Sequence, residues 1–233
     1  MVVSDDQRLQ RLQELRAQHA RHGATSQIAY WTIRDAIRTG VIQAGDRLIE
    51  LDLAAALEMS RTPVRDALRQ LEGERLVEKA PSRGFIVPTK TIEDLVEIYE
   101  IREVLEGLAA RRAAMRMGQA ELAALEETVE RTERAREAGD LTTLWEASNQ
   151  FHRLLRGGAR NGRLPQLLAL MLDTHRSLRL HEFAPERVDD AVAEHRAIFA
   201  AIAAHDGDLA EQRARLHSRN ALRAQLLAHH LAE

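Results

Sequence analysis

The pattern of apolar and polar positions predicts helices along most of the chain. Leu9, Leu12 and Leu15 recur every three residues between charged residues, which indicates a weakly amphipathic helix over residues 6–20. This segment is interpreted either as a frayed extension or as an element that packs in a dimer. Further helices are predicted at about 26–39, 51–57, 60–73, 92–117, 119–137, 141–156, 163–181, 186–204 and 207–230.

Two short β-prone runs interrupt this helical pattern. They are Leu76–Lys79 and Phe85–Pro88, and the turn between them contains Gly84. Such runs around a glycine-containing turn predict a β-hairpin. Residues 24–88 therefore have the order helix, helix, turn, helix, hairpin, which is the arrangement of a winged helix-turn-helix.

The rest of the chain has no strand signal, and its helices with short connections predict an antiparallel bundle. Thr91–Asp94 has the pattern of a capping box, and Pro88–Lys90 marks the expected domain boundary. We therefore predict a mainly α protein with three parts. These are a helical extension at 1–22, a winged helix-turn-helix domain at 23–88 and an all-α antiparallel bundle at 91–230.

Composition excludes several classes of protein. The 233 residues include no cysteine, which excludes a disulfide framework, a thiol nucleophile and cysteine zinc sites. Apolar runs are too short to span a membrane, and the N-terminus lacks an apolar signal core, so a cytoplasmic location is expected.

The net charge of −3 divides into +2 for residues 1–90 (14 Lys/Arg, 12 Asp/Glu) and −5 for residues 91–233 (19 Lys/Arg, 24 Asp/Glu). An acidic total still allows a compact basic face on the first part.

The strongest motif lies at the start of the predicted third helix of the winged domain. Ser60–Arg65 reads Ser-Arg-Thr-Pro-Val-Arg. It resembles the recognition region of GntR-family bacterial transcription regulators. Ala44–Leu48 resembles the family's Pro-Gly-x-x-Leu segment with alanine in place of proline, and Arg83–Val87 resembles its wing. The resemblance covers residues 24–88 and implies a DNA-binding regulator.

The chemistry of these residues suits DNA. Arg61 and Arg65 are four positions apart and share a helix face. An arginine fork can bind guanine through two hydrogen bonds, which discriminates against a wrong base by about 1–3 kcal/mol. Hydroxyl groups at a helix N-terminus suit phosphate oxygens, and a glycine at a wing turn allows close approach to a narrow groove. The predicted DNA-binding residues are Ser60, Arg61, Thr62, Arg65, Arg83 and Gly84.

The C-terminal half resembles the FCD domain, the all-helical ligand domain of the FadR branch of this family. The resemblance rests on Tyr99–Arg102 with Glu106, on Phe151–Leu155 with Asn161, and on Glu194–Ile198 with Asp208 and His217. Metal-binding members use an aspartate, the histidine four residues after it, and two later histidines. The resemblance therefore implies a divalent metal at His152, His195 and His217, with Zn or Ni expected and Mn or Fe as alternatives. Ser148 occupies the aspartate position, which departs from the family pattern.

The same resemblance implies an effector cavity. Arg102 lies between apolar residues, and it is interpreted either as the salt-bridge partner of Glu106 or as a group that binds a carboxylate. Asn149 and Arg176 are further candidate effector-binding residues. A divalent cation beside an arginine attracts anions, so a small organic acid is the expected effector.

These features together predict a ligand-responsive transcription regulator, more specifically a repressor, rather than an enzyme. A palindromic double-stranded operator and a homodimer are expected, because two recognition helices require matching half-sites. One alternative is a sensor of fatty acyl-CoA without metal, although the three histidines argue against it. The other is a three-histidine metalloenzyme, for which the sequence offers no carboxylate at motif spacing to act as a base.

Overall fold

The computed structural model describes residues 5–20, 23–89, 91–174 and 185–230, and the mainly helical architecture that it shows confirms the predicted fold class. The chain divides into two compact units, the first formed mainly by residues 1–90 and the second mainly by residues from Thr91 onward. None of the helices within the described residues is both long enough and apolar enough to cross a membrane.

The first unit is a small helical domain with a three-stranded sheet. Its helices are α1 (Asp5–His19), α2 (Thr25–Arg38), α3 (Glu50–Ala56) and α4 (Arg61–Gly73), and its strands are β1 (Arg47–Leu48), β2 (Glu78–Lys79) and β3 (Phe85–Ile86). Packing of α2 on α4 forms the core, in which Ile33, Leu57, Leu68 and Leu71 are fully buried. The apolar positions of α4 recur at spacings of four and three, so a single face enters this core.

The sheet of this unit has the order β1–β3–β2, and both pairings are antiparallel. Phe85 in the central strand β3 lies opposite Leu48 on one side and Lys79 on the other. The hairpin of β2 and β3 was predicted from the sequence, but β1 was not. A strand of two residues is too short to show the alternation by which strands are recognised.

The second unit consists of helices. They are α5 (Ile92–Arg116), α6 (Gln119–Glu137), α7 (Leu141–Gly158), α8 (Leu164–Thr174), α9 (Pro185–Ala203) and α10 (Gly207–His230). The backbone amide of Asp94 donates to the Thr91 hydroxyl, and the Thr91 amide donates to the Asp94 carboxylate, so a capping box begins α5. The core of the unit includes the fully buried side chains of Leu125, Phe151 and Ile202. Helix α8 was predicted to extend to residue 181, a position that lies outside the described residues.

Candidate metal centre and DNA-reading surface

The basic residues of α4 point away from the core of the first unit. Val64 and Leu68 are fully buried, whereas Arg61 and Arg65 on the other face are exposed. Arg61 has one neighbouring carboxylate, since its Nη2 lies 3.5 Å from Glu50 Oε2. The helix therefore offers two guanidinium groups, one turn apart, to a ligand outside the domain.

The hydroxyl groups at the start of α4 are also exposed. Ser60 is the N-cap residue by its backbone conformation, but its side chain makes no capping hydrogen bond. Thr62 lies in the first turn and faces solvent. Both hydroxyls lie at the positive end of the helix dipole, where phosphate oxygens bind favourably.

The turn of the β2–β3 hairpin is held in a defined shape. Gly84 has φ +88°, and a Cβ atom at this position would lie 2.5 Å from the carbonyl oxygen of Leu48. The Arg47 guanidinium donates to the carbonyl oxygen of Arg83 through Nε (3.1 Å) and Nη2 (2.8 Å), and it also contacts Ser82 Oγ. The Arg83 side chain is exposed at this turn. Sequence reasoning missed Arg47 because its partners lie 35 and 36 residues further along the chain.

Three helices of the second unit bring the three predicted histidines together. His152 lies on α7, His195 on α9 and His217 on α10, and one ring nitrogen from each falls within 4.8 Å of the others. His195 and His217 are buried, and His152 is partly exposed. The Phe151 ring stacks on His195 with 4.5 Å between the ring centroids. An apolar surface therefore covers one side of the His195 imidazole.

Glu194 orients His217 within this cluster. The Nδ1 atom of His217 lies 2.7 Å from Glu194 Oε2, and Arg187 and Asn220 donate to the same carboxylate at 2.5 and 2.6 Å. Burial alone would raise the pKa of Glu194. The hydrogen bonds from His217, Arg187 and Asn220 outweigh that effect and lower the pKa to about 2. The Glu194 carboxylate occupies Nδ1 of His217, so Nε2 is the nitrogen that remains available to a metal ion.

The cluster favours the neutral form of two of its imidazoles, those of His195 and His152. Removal from water lowers the pKa of His195 well below its ordinary value, and positive charge at His217 and Arg187 lowers it further. Removal from water likewise lowers the pKa of His152, and His195 and Arg156 add to the shift. Neutral imidazole is the form that binds metal ions.

The residues present fit a divalent metal ion. Neither ring nitrogen of His195 has a hydrogen-bond partner among the described residues, although the side chain is 2% exposed. Such buried, unsatisfied nitrogens are costly unless something else binds them. A set of three imidazole ligands suits Zn, Ni, Cu or Fe. Ser148, buried one turn before His152 on α7, supplies no carboxylate to this set.

The same unit contains a second cluster, formed by buried charged side chains. The Glu106 carboxylate binds the Arg156 guanidinium through two nitrogens, and its Oε1 lies 3.6 Å from Arg102 Nε. Burial alone would raise the pKa of Glu106, but the charges of Arg156 and Arg102 lower it. Arg102 is 3% exposed, and its guanidinium lies 5.0 Å from the centre of the Tyr99 ring. Arg102 is thus beside Glu106, as one interpretation of the sequence expects.

The other two predicted effector residues do not join this group within the described residues. The Asn149 side chain is exposed, and its amide donates to the carbonyl oxygen of Trp145 at 2.9 Å. Arg176 lies outside the described residues. Sequence reasoning had not identified Arg156, Arg187 or Glu194 as part of the site, although Glu194 directly precedes His195 in the chain.

Comparisons with known proteins agree with both halves of this description. A family model described as "Bacterial regulatory proteins, gntR family" matches residues 25–87, and one described as "FCD domain" matches residues 97–220. The chain therefore belongs to the GntR family of transcriptional regulators and carries an FCD domain. Regulators of this family are not enzymes, which confirms the prediction of a transcription regulator rather than an enzyme.

Individual relatives support the same assignment. The chain is 31% identical over 190 residues to the Bacillus subtilis protein "Uncharacterized HTH-type transcriptional regulator YdhC", covering 81% of this chain and 85% of that one. It is 34% identical over 176 residues to the "Probable D-xylose utilization operon transcriptional repressor" of Paenarthrobacter nicotinovorans, covering 75% and 77%.

Solved structures show the same fold. The structure titled "E. coli McbR/YncC" superimposes with a TM-score of 0.71 at 23% identity, covering 89% of this chain and 99% of that chain. A putative GntR regulator from Rhodococcus sp. RHA1 gives a TM-score of 0.66 at 27% identity, covering 88% and 98%.

Proposed function

We propose that this regulator is a repressor whose operator affinity is controlled by a small organic acid bound beside a divalent metal ion in the FCD domain. The observation that carries the proposal is the cluster of His152, His195 and His217, in which buried His195 has no hydrogen-bond partner among the described residues. A divalent ion bound by three imidazoles retains open coordination positions at which a carboxylate can bind. Zn or Ni is the proposed ion, and Mn and Fe are alternatives.

Charge on this chain's own residues favours an acidic effector. Histidine side chains supply no negative charge to the ion, and Ser148 adds none, so a divalent ion here keeps its full charge. Arg102 brings a buried guanidinium to the same unit, where Glu106 partly balances it. An anion therefore gains more in this site than a neutral molecule does. The three clustered histidines rank an acyl-CoA sensor without metal below the proposed organic-acid sensor, because such a sensor has no use for metal ligands.

DNA recognition is assigned to α4 and the hairpin turn. Arg61 and Arg65 would contact base edges, Ser60 and Thr62 would contact phosphates, and the turn at Arg83 and Gly84 would enter the adjacent groove. We propose that two copies of the chain bind a palindromic operator, since a symmetric dimer presents two equivalent helices to matching half-sites. A regulator of this kind works beside the chromosome, which places it in the cytoplasm.

The metal content of the purified protein tests whether the three histidines bind an ion. Protein purified without a histidine tag, analysed by inductively coupled plasma mass spectrometry, should contain about one divalent ion per chain. His195→Ala should lose that ion. His205→Asn is the matched control, because His205 lies outside the cluster and its φ of +56° suits asparagine. No ion in the wild-type protein, even after incubation with Zn²⁺, Ni²⁺ and Mn²⁺, would overturn the metal assignment.

DNA binding is tested separately. Selection from a random duplex pool should recover a palindrome that wild-type protein binds specifically, and Arg65→Ala should abolish that preference without loss of helical content. Arg134→Ala removes the same charge from an exposed position on α6 and should bind as the wild type does. A retained sequence preference in Arg65→Ala would contradict the assignment of α4. Addition of small carboxylates to the metal-loaded protein should then weaken operator binding.

A further inference from the structure

Helix α1 lies outside the residues matched by either family model, yet it is built into the DNA-binding unit. The matches begin at residue 25, whereas α1 spans Asp5–His19. Leu12 of this helix is 8% exposed and belongs to the buried core of the unit, and Leu15 packs against the same core. The helix contacts α2 and α3. It is therefore a packed element and not a frayed extension.

Two arginines of α1 reach carboxylates that are far away in sequence. Arg8 Nη2 lies 2.7 Å from Asp46 Oδ2, and Arg16 Nη1 lies 2.5 Å from Glu58 Oε2. The partners of each pair are 38 and 42 residues apart. Each contact thus joins α1 to a loop that adjoins a DNA-reading element.

Asp46 closes the turn that leads into β1. Its Oδ2 accepts from the backbone amide of Gln43 at 2.8 Å, and its carbonyl oxygen accepts from the Val87 amide at 3.0 Å. Val87 directly follows β3, the central strand of the sheet that carries the hairpin turn. Arg8 therefore fixes a turn that is itself bonded to the wing sheet.

Glu58 lies in the turn between α3 and α4, two residues before the N-cap Ser60. Its backbone has φ +48°, a left-handed conformation that is uncommon outside glycine. Its side chain is 64% exposed. A free carboxylate here would stand close to the helix N-terminus at which phosphates are expected, and it would repel them. The guanidinium of Arg16 neutralises this carboxylate.

We propose that α1 is a brace of the DNA-reading unit, in which Arg16 shields Glu58 from the operator phosphates and Arg8 fixes the turn that supports the wing. This inference rests on DNA binding through α4. It gives α1, a helix outside both family matches, a role in operator affinity. The shielding role makes a prediction that a purely structural role does not. Removing Glu58 should compensate for the loss of Arg16.

A double-mutant cycle tests the brace, with the duplex selected by wild-type protein as the probe and fluorescence anisotropy as the measurement. Arg16→Ala should weaken binding about fivefold, the upper end of what one partly exposed ion pair contributes. Arg16→Ala combined with Glu58→Ala should bind within about twofold of the wild type, because the repelling charge is gone as well. Arg11→Ala is the matched control, since Arg11 is exposed and its ion pair is with Glu14 of the same helix.

Three results would overturn the brace. Wild-type affinity in Arg16→Ala would remove α1 from operator affinity. A defect that persists in the double variant, together with a salt dependence reduced by about one phosphate contact, would make Arg16 a direct phosphate ligand. A loss of binding that thermal unfolding fully accounts for would leave only a structural role. Failure of the proposed function differs from all three, because wild-type protein would then show no Arg65-dependent preference for any duplex.

Discussion

Glu194 and His217 form a carboxylate–imidazole pair on neighbouring helices, with 2.7 Å between Oε2 and Nδ1. The hydrogen bond engages Nδ1 and leaves Nε2 of His217 as the ring nitrogen available to a metal ion. Helix α9 supplies Glu194 and His195 from adjacent positions, so one helix both carries a histidine of the cluster and orients another. This arrangement gives the three-histidine cluster a support that spacing of histidines alone does not imply.

Glu194→Gln should therefore weaken metal binding while His152, His195 and His217 remain in place. Loss of a carboxylate that supports a histidine ligand typically costs about 10–100-fold in metal affinity. Competition with a chromogenic chelator for Zn²⁺ measures the effect. Asp189→Asn is the control, because Asp189 lies on the same helix with a side chain that is 81% exposed. Equal affinity in the two variants would show that Glu194 does not support the site.

Ser148→Asp should strengthen metal binding. The position is buried one turn before His152, where the family resemblance led us to expect aspartate, and a carboxylate would add both a ligand and a negative charge. We expect Zn²⁺ affinity to rise by at least about tenfold, equivalent to 1.4 kcal/mol. Without metal, the same variant should unfold at a lower temperature than the wild type, because its buried carboxylate lacks a partner. Ser148→Asn, which adds similar bulk without charge, should show neither effect.

Gly84→Ala should distort the hairpin turn. The added Cβ would lie 2.5 Å from the Leu48 carbonyl oxygen, and φ at this position is +88°. Left-handed backbone alone costs a non-glycine residue about 1–2 kcal/mol, and the contact with backbone adds to that. Gly40→Ala provides the comparison, because φ there is +75° and nothing lies within 4 Å of the new atom.

Chemical denaturation of both glycine variants separates the two costs. Gly84→Ala should be the less stable, and it should bind the selected duplex more weakly than Gly40→Ala. If the two variants lose the same stability, the close approach of Gly84 to Leu48 does not constrain the turn.

The sequence predicted the helices well because their apolar positions repeat over many turns. For α4, Val64, Leu68 and Leu71 defined the buried face, and the structure buries all three. Strand β1 escaped prediction because Arg47 and Leu48 take part in the sheet only through pairing with Ile86 and Phe85. Pairing between segments almost 40 residues apart leaves no local periodicity.

The candidate site also has a part that the sequence predicted and a part that it did not. His152, His195 and His217 were identified by family spacing, and the structure brings them together. Their supporting groups were not, because the contact of Glu194 with His217 and the contact of Arg156 with Glu106 depend on how the helices pack. The same holds for α1, whose leucines were visible as a weak pattern while the partners of its arginines were not.

Arg156 and Glu106 allow a prediction about stability and pH. Arg156→Met removes the guanidinium that binds the buried Glu106 carboxylate and leaves Arg102 beside it. Breaking a buried ion pair in this way should lower the free energy of unfolding by about 3–5 kcal/mol. Arg134→Met should cost less than about 1 kcal/mol, because its ion pairs on α6 are exposed.

The pH dependence of unfolding distinguishes this ion pair from simple packing. The pKa of Glu106 is lowered in the folded protein, so its stabilising contribution is present above the unfolded pKa of about 4.3 and is lost as the pH falls through the folded value. In Arg156→Met, burial acts against a weaker positive field, so the carboxyl group protonates at higher pH. Urea denaturation of both proteins from pH 7 to pH 3.5 should therefore show the largest difference at neutral pH and a smaller one in acid. A difference that does not change with pH would mean that Arg156 stabilises the helical unit through its packing rather than through the charge of Glu106.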